Sequence, residues 1–324
     1  MDKKKFITNG IVVCLLSSFC CMLWGSASPA IKVGYRLFNI SSNDTPTRIL
    51  FAGYRFTLAG ILVIIIGSIL NRKIMVPKKE MIPKIMTVGL FQTIIQYFCF
   101  YIGLANTTGV KATIISSGNA FISLLLASLL FNLEKLTLKK LIGCVFGLAG
   151  VIIINLKGLD FSITFMGEGM ILASVVAFAF STILAKIYSK NEDPVMISGY
   201  QFIFGGIILT LISSALGGNL GKVGFSGIGI LTYLSFLSAI AYSLWGILLK
   251  HNPVSKVAIY AFMTPVFGVL LSTIFLPEEK EAFGINAIIA VILVSIGIII
   301  SNIDLSKKPV VESKNSGLED LDRL

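Results

Sequence analysis

The fold is decided by apolar runs such as ILFAGYRFTLAGILVIIIGSIL at residues 49–70, which contains one charged side chain, Arg55. About 20 apolar residues form a helix long enough to cross the roughly 30 Å hydrocarbon layer of a membrane. A core helix of a soluble protein rarely stays apolar on every face over such a length. The run therefore predicts a membrane-spanning helix, and the chain contains ten such stretches separated by short polar turns.

The composition of the whole chain supports the same class. Hydrophobic residues make up 55% of the chain and charged residues 13%, and the mean hydropathy is +0.89. These values exclude an ordinary soluble domain. The strands of a membrane β-barrel would alternate apolar and polar residues, and ILVIIIGSIL at 61–70 does not alternate. The predicted fold class is all-α, a polytopic membrane protein with ten transmembrane helices.

The ten predicted helices leave little of the chain outside the membrane. The tail at 303–324 is charged and lacks aromatic residues, so it is predicted to be a disordered cytoplasmic segment. The predicted spans are 9–33, 49–70, 82–105, 110–131, 139–156, 167–188, 195–216, 226–249, 254–276 and 284–302.

The distribution of positive charge predicts the orientation in the membrane. With the N-terminus in the cytoplasm, 19 of the 27 Lys and Arg residues fall on the cytoplasmic side and 7 on the other. Cytoplasmic loops of membrane proteins carry such an excess. Both termini are therefore predicted to be cytoplasmic. The net charge of +11 lies mostly at helix ends, which indicates topology and no nucleic-acid partner.

An internal repeat divides the predicted spans into two halves, because helices 3 and 4 match helices 8 and 9 at an offset of 144 residues. Each half, 9–156 and 167–302, then holds five helices. Since five is odd, the second half must be inverted relative to the first, as in many secondary transporters. The aligned pairs are Tyr101 with Trp245, Val110 with Val254, Phe121 with Pro265, Phe131 with Phe275 and Glu134 with Glu278.

Several loose motifs recur in a specific order along residues 10–302. They are LWGSASPAIK at 23–32, GYRFTLAG at 53–60, FNLEKLTLKKLIG at 131–143 and MTPVFGVLLSTIFLPEE at 263–279. Together they resemble the drug/metabolite transporter superfamily, in particular ten-helix members built from two EamA domains. One departure is Phe121, which stands where the family often has a proline in helix 4, whereas the helix 9 equivalent, Pro265, is kept.

The resemblance implies an arrangement and an activity. Helices 1, 3, 4, 6, 8 and 9 would surround a central cavity, and helices 2, 5, 7 and 10 would pack outside or at the face of a homodimer. The activity implied is movement of a small metabolite, often an amino acid or a related compound, across the cytoplasmic membrane.

Polar and aromatic residues within the spans are the candidates for a binding site, because a polar group facing lipid is costly. An amide and aromatic lining could hold an amino acid through hydrogen bonds and apolar contact. The same residue types also serve as hydrogen bonds between helices or as interfacial belts. The predicted substrate-binding residues are Trp24, Gln92, Gln96, Tyr97, Tyr101, Asn119, Tyr242, Trp245 and Tyr260.

Five further residues are assigned conformational or structural roles: Arg55, Phe121, Pro265, Glu134 and Glu278. Arg55 lies in a helix that the resemblance places outside, and burial would require carbonyls, polar side chains or an anionic substrate as its partners. The two glutamates sit at turns, one in each half, where they resemble helix-start residues more than coupling groups.

The predicted function is transport of amino acids or related zwitterionic or neutral solutes by alternating access, with export as the favoured direction. Efflux of cationic or aromatic drugs is the alternative that the aromatic residues leave open. A non-transporting sensor or scaffold is a third reading. An intramembrane enzyme is disfavoured because HExxH, paired intramembrane acids and a Gly-x-Ser-x-Gly elbow are all missing from the sequence. The predicted partners are a small solute and the lipid bilayer, with no cofactor and no metal.

Overall fold

The structure is a computed structural model that describes residues 3–41, 43–156, 163–221, 224–275 and 285–302. Within these ranges, nine helices are long and apolar enough to cross a membrane. A further helix of 17 residues, Leu138–Ile154, occupies the place of the predicted span 139–156. The all-α, multi-pass membrane fold is therefore confirmed. Glu278 and the predicted tail at 303–324 lie outside the described residues.

We number the spans α1 to α10 in chain order. A short helix, Lys3–Thr8, precedes them. The spans are α1 Gly10–Leu37, α2 Thr45–Leu70, α3 Lys79–Ala105, α4 Gly109–Leu130, α5 Leu138–Ile154, α6 Phe165–Tyr188, α7 Pro194–Ala215, α8 Phe225–His251, α9 Val254–Ser272 and α10 Ile285–Asn302.

Local capping explains why α2 begins four residues before its predicted start. The Asp44 side chain accepts a hydrogen bond from the backbone N–H of Thr47 at 3.0 Å, and Pro46 occupies the first turn. Both are favourable at a helix N-terminus. Arg48 stays inside the helix because its guanidinium lies over the Tyr35 ring at 5.0 Å. The side chain therefore gains a cation–π contact while the backbone remains helical.

Four of the described spans depart from regular α-helix, one of them α6, which begins with a π-helical stretch, Phe165–Gly169. In α3 the stretch Leu90–Ile95 is π-helical, and α4 is interrupted at Gly118 before ending in a π-helical stretch, Leu126–Leu130. In α9 a 3₁₀ stretch, Ile259–Phe262, comes directly before the turn that contains Pro265. A proline cannot donate a backbone hydrogen bond to the preceding turn, so the helix adjusts there. Phe121 lies in a helical stretch and is partly exposed.

Glycines let α2 and α7 approach closely. A methyl group at Gly60 would lie 2.5 Å from the carbonyl oxygen of Gly199, and one at Gly206 would lie 2.5 Å from the backbone nitrogen of Thr57. Small residues at an interface are the usual means by which membrane helices pack backbone to backbone. Of the nine spans, α2 has the largest buried share, 56%. Tyr54 and Leu58 of α2 remain exposed, so the expectation that helix 2 packs outside stays a prediction. The opposite face of the helix is buried, and there Arg55 donates a hydrogen bond to Ser238 of α8.

Polar contacts between helix ends fall into two groups, one at each end of the bundle. This grouping agrees with the predicted topology, in which successive turns lie alternately on the two sides of the membrane. The first group includes Glu134 with Ser255, Asn252 with Ile7, Lys256 with Thr8 and Lys78 with Glu192, and the second includes Lys111 with Glu168, Thr47 with Asn219 and Ser213 with Pro46.

Candidate functional site

An aromatic cluster joins α1 to α8 in the interior. The ring of Trp24 lies 5.2 Å from that of Tyr242 and 4.9 Å from that of Trp245, both in edge-on geometry. Tyr242 and Trp245 are three residues apart and therefore share a face of α8. Both are almost fully buried. The structure thus brings together three predicted substrate-binding residues from two helices that are distant in the sequence.

The cluster continues onto α3, α2 and α7. The hydroxyl groups of Tyr97 and Tyr242 are 3.1 Å apart and form a hydrogen bond. The Phe56 ring lies 4.4 Å from Tyr97 and stacks on Phe202 at 5.1 Å. Phe202 in turn meets Tyr242 edge-on at 4.9 Å. The aromatic core therefore draws on five helices.

Arg55 lies inside this region and is 3% exposed. Its Nε donates a hydrogen bond to the Ser238 hydroxyl at 3.0 Å, and its guanidinium carbon lies 5.0 Å from the centre of the Phe56 ring. The hydroxyl of Ser235 donates to the carbonyl oxygen of Arg55 at 3.1 Å. Two serines one turn apart on α8 thus hold the backbone and the side chain of this arginine.

A small cavity of about 20 Å³ adjoins the cluster. This space holds about one water molecule, so it cannot admit an amino acid without movement of the surrounding helices. Gln92, which is buried, contributes to the wall. The cavity is lined by Gln92, Thr182, Ala185, Pro194, Ile197, Ser198, Tyr242, Trp245, Gly246 and Leu249.

Two polar atoms of the predicted site are buried without a partner among the described residues. They are the indole N–H of Trp24 and the amide oxygen of Gln96. An unpaired buried polar group typically costs about 1–3 kcal/mol, so most such groups in proteins are paired. The π-helical stretch of α3 ends directly before Gln96, and such stretches are frequent at functional sites.

The remaining predicted site residues lie at different distances from the cluster. Tyr101 is buried, and its ring lies 6.3 Å from that of Tyr97. Asn119 is buried in α4, where its side-chain oxygen accepts a hydrogen bond from Ser123 at 3.2 Å. Tyr260 is buried against α1, and its carbonyl oxygen accepts from the thiol of Cys21. The described ring contacts do not connect Tyr260 to the cluster, so Asn119 and Tyr260 stay predictions.

Two carboxylates are held firmly at opposite ends of the bundle. Glu134 accepts hydrogen bonds from the Ser255 N–H at 2.9 Å and hydroxyl at 2.6 Å, and it pairs with Lys140 at 3.0 Å. Glu168, which the sequence reasoning did not single out, pairs with Lys111 at 3.2 Å and accepts a hydrogen bond from Thr107. Glu134 thus connects the α4–α5 turn to the start of α9, and Glu168 connects the α3–α4 turn to the start of α6.

Phe56 and Phe202 are the site residues that the sequence reasoning missed. Phe56 lies on α2 and Phe202 on α7, and both helices were expected to pack outside. Glycines seven residues apart in each helix, Gly53 and Gly60 in α2 and Gly199 and Gly206 in α7, were a usable signal. Such spacing of small residues indicates one closely packed helix face.

Several known proteins similar to this chain carry the name transporter. The chain is 26% identical over 276 residues to an uncharacterized transporter of Archaeoglobus fulgidus, covering 83% of this chain and 90% of that protein. It is 28% identical over 269 residues to the uncharacterized transporter YvbV of Bacillus subtilis, covering 82% and 84%. A WAT1-related chloroplastic protein of Arabidopsis thaliana is 25% identical over 279 residues, and there the match covers 82% of this chain and 63% of that protein's length.

A crystal structure of another protein has the same fold, with a TM-score of 0.72, 19% sequence identity, and coverage of 89% of this chain and 97% of that one. The family model described as the EamA-like transporter family matches residues 8–156 and again residues 165–303. The resemblance to the drug/metabolite transporter superfamily is therefore confirmed, and this membrane protein belongs to the EamA-like transporter family.

Proposed function

We propose that this transporter carries amino acids or related small zwitterionic or neutral solutes across the cytoplasmic membrane, and that it exports them. The aromatic cluster around Trp24, Tyr242 and Trp245 is the observation that carries this proposal. It offers flat apolar surfaces beside polar atoms that have spare hydrogen-bonding capacity, the combination expected of a small-molecule site. The cluster itself would act by binding and not by catalysis.

Transport by alternating access is proposed because the site is closed in this structure. A cavity of about 20 Å³ must open toward one side and then the other for a solute to pass. The polar contacts of Glu134 at one end and Glu168 at the other are suited to hold either end shut. Opening would exchange these hydrogen bonds for contacts with water, which makes the net cost modest.

Two inverted halves are proposed as the structural basis of this movement. The separate family matches to 8–156 and 165–303 support a duplication. The helix packing supports it as well, because α1 of the first half packs on α8 and α9, whereas α6 of the second half packs on α3 and α4. Both termini in the cytoplasm and a homodimer stay predictions.

Efflux of cationic drugs is a weaker proposal because of Arg55. A cation held by the aromatic cluster would approach this buried guanidinium, and like charges repel strongly where water is excluded. Cation–π attraction to the rings is of the order of 0.5–2 kcal/mol and would have to offset that repulsion.

Purified protein in liposomes, tested with a panel of radiolabelled amino acids, provides the test. We expect time-dependent uptake of at least one amino acid above protein-free liposomes, and competition by the unlabelled compound. An aromatic cation such as ethidium, assayed in the same liposomes, distinguishes the alternative. Movement of the cation with no amino acid flux would contradict the proposal. The direction is tested separately in everted membrane vesicles, where an exporter accumulates its substrate.

A further inference from the structure

Most of the hydrogen-bonding capacity of Arg55 is unused. A guanidinium carries five N–H donors, and only the Nε of Arg55 donates to a described residue. Within the described ranges, no acidic side chain lies within ion-pair distance of it. This contrasts with the other buried cation, Lys111, whose Nζ lies 3.2 Å from a Glu168 oxygen.

The groups around this charge are aromatic and uncharged. The Phe56 ring covers one face of the guanidinium, and the uncharged hydroxyl of Ser238 accepts the hydrogen bond from its Nε. A neutral environment of this kind does not compensate a buried positive charge, which is costly in the absence of a counter-ion. The site therefore favours an anion.

The form of the side chain indicates which anion. A guanidinium presents two parallel N–H donors that match the two oxygens of a carboxylate. A second guanidinium, that of Arg48, lies over the Tyr35 ring at the edge of this cluster, and its Nε has no partner among the described residues. Arg55 is the arginine that contacts Phe56 and Ser238 inside the cluster, and one guanidinium suits a single negative charge. The unpartnered indole N–H of Trp24 belongs to the same cluster, joined to it through Tyr242, and offers a further donor.

We propose that Arg55 binds the carboxylate of the transported solute and that the aromatic cluster takes its apolar part. This inference rests on the proposed function and narrows it, because neutral solutes without a carboxylate are excluded as good substrates. Arg55 is then a specificity-determining residue, which differs from the structural role expected from the sequence.

The two tryptophans of the chain, Trp24 and Trp245, make binding directly measurable. Both lie in the cluster, 4.9 Å apart, so intrinsic tryptophan fluorescence reports on this site alone. The probes are matched pairs of a carboxylate and its carboxamide: L-phenylalanine and its amide, L-leucine and its amide, and 3-phenylpropanoate and its amide. We expect the carboxylate of any pair that binds to bind about 10- to 100-fold more tightly, as for hydrogen bonds to a charged group.

Variants at one position then assign the preference to Arg55. Arg55→Gln should weaken binding of 3-phenylpropanoate to the level of its uncharged amide and leave binding of that amide unchanged. Arg55→Lys keeps a point charge without the paired donors, so an intermediate preference is expected. The control is Arg72→Gln, at an exposed position directly after α2, and it should keep the wild-type preference. Size-exclusion chromatography in detergent verifies that each variant is folded.

The outcomes separate this inference from the proposed function. If the wild-type protein binds and transports solutes but treats carboxylates and amides alike, Arg55 is not the anion site, and the proposed transport stands. If Arg55→Gln retains the wild-type preference, the assignment to Arg55 is overturned. If no solute is bound or moved, both proposals fall. Should Arg55→Gln not fold, the wild-type pairs and Arg55→Lys still decide.

Discussion

The carboxylates at the two ends of the bundle and the polar groups of the aromatic cluster at its centre differ in how fully they are paired. At the ends, Glu134 and Glu168 each accept several hydrogen bonds and pair with a lysine. In the centre, Arg55 uses one of its five donors, and polar atoms of Trp24 and Gln96 have no described partner. A satisfied group stabilises the fold, whereas an unsatisfied one retains binding capacity for a ligand. The ends therefore hold the bundle together, and the centre is where a solute would bind.

The largest effect is expected where the helices that carry the centre meet. A side chain at position 206 would collide with the backbone of α2 near Thr57, so Gly206→Leu should abolish most of the folded protein. The measurement is the yield of monodisperse protein from membranes. The matched control is Gly229→Leu on α8, where a new side chain meets nothing within 4 Å and the yield should be unchanged. Equal yields for the two variants would show that α2 and α7 do not need this close contact.

A large loss of transport is expected from Trp245→Ala. Trp245 contacts Trp24 and lines the cavity, so its removal should lower flux at least about tenfold by loss of aromatic contact with the solute. Membrane abundance should remain within about twofold, because packing elsewhere in the bundle is retained. Phe225→Ala, on the same helix but 96% exposed, serves as the control. Normal flux in Trp245→Ala would remove this residue from the site.

A smaller effect, on stability and not on specificity, is expected from Glu134→Gln. The substitution removes the charge that attracts Lys140 and weakens two hydrogen bonds from Ser255, for a loss of about 2 kcal/mol. Thermal unfolding in detergent should begin at a lower temperature than for wild-type protein. Glu80→Gln, which alters an exposed carboxylate at the start of α3, should have no such effect. If Glu134→Gln altered the substrate preference and left stability unchanged, the ends would not differ from the centre in the way proposed, with the ends stabilising the fold and the centre binding the solute.

The smallest effect is expected from Lys78→Ala. Lys78 lies 3.5 Å from Glu192, but its side chain is 74% exposed. Exposed ion pairs contribute little, so the loss should be below about 0.5 kcal/mol and transport should be normal. The same unfolding assay measures it. If Lys78→Ala lowered the free energy of unfolding as much as Glu134→Gln does, burial would not explain the different strengths of the Lys78–Glu192 and Lys140–Glu134 ion pairs.

Much of the fold could be predicted from local sequence. The apolar runs indicate the spans because the membrane thickness sets one length for all of them. The spacing of Tyr242 and Trp245 placed them on one face because helix geometry is regular. The start of α2 was misplaced because capping by Asp44 and the contact of Arg48 with Tyr35 outweigh the polarity of that segment.

The buried face of α2 was harder to predict, because apolarity does not distinguish a helix face toward lipid from a face toward other helices. In water a helix shows its buried face by its apolar side, but in a membrane both faces are apolar. Phe56 and Phe202 were missed for this reason. Their contact depends on the glycine-mediated approach of α2 to α7, which brings together residues about 146 positions apart.

The membrane class, the approximate number and ends of the spans, the family resemblance and several residues of the aromatic cluster follow from lengths, periodicities, charges and motifs along the chain. The burial of Arg55 among aromatic rings, with one hydrogen bond from its side chain to a described residue, is a result of tertiary packing, and so are the contacts of Glu134 and Glu168. The physical reason is that the hydrogen-bond partners of a buried polar group come from neighbouring helices, and segments distant in the sequence become neighbours only through tertiary packing.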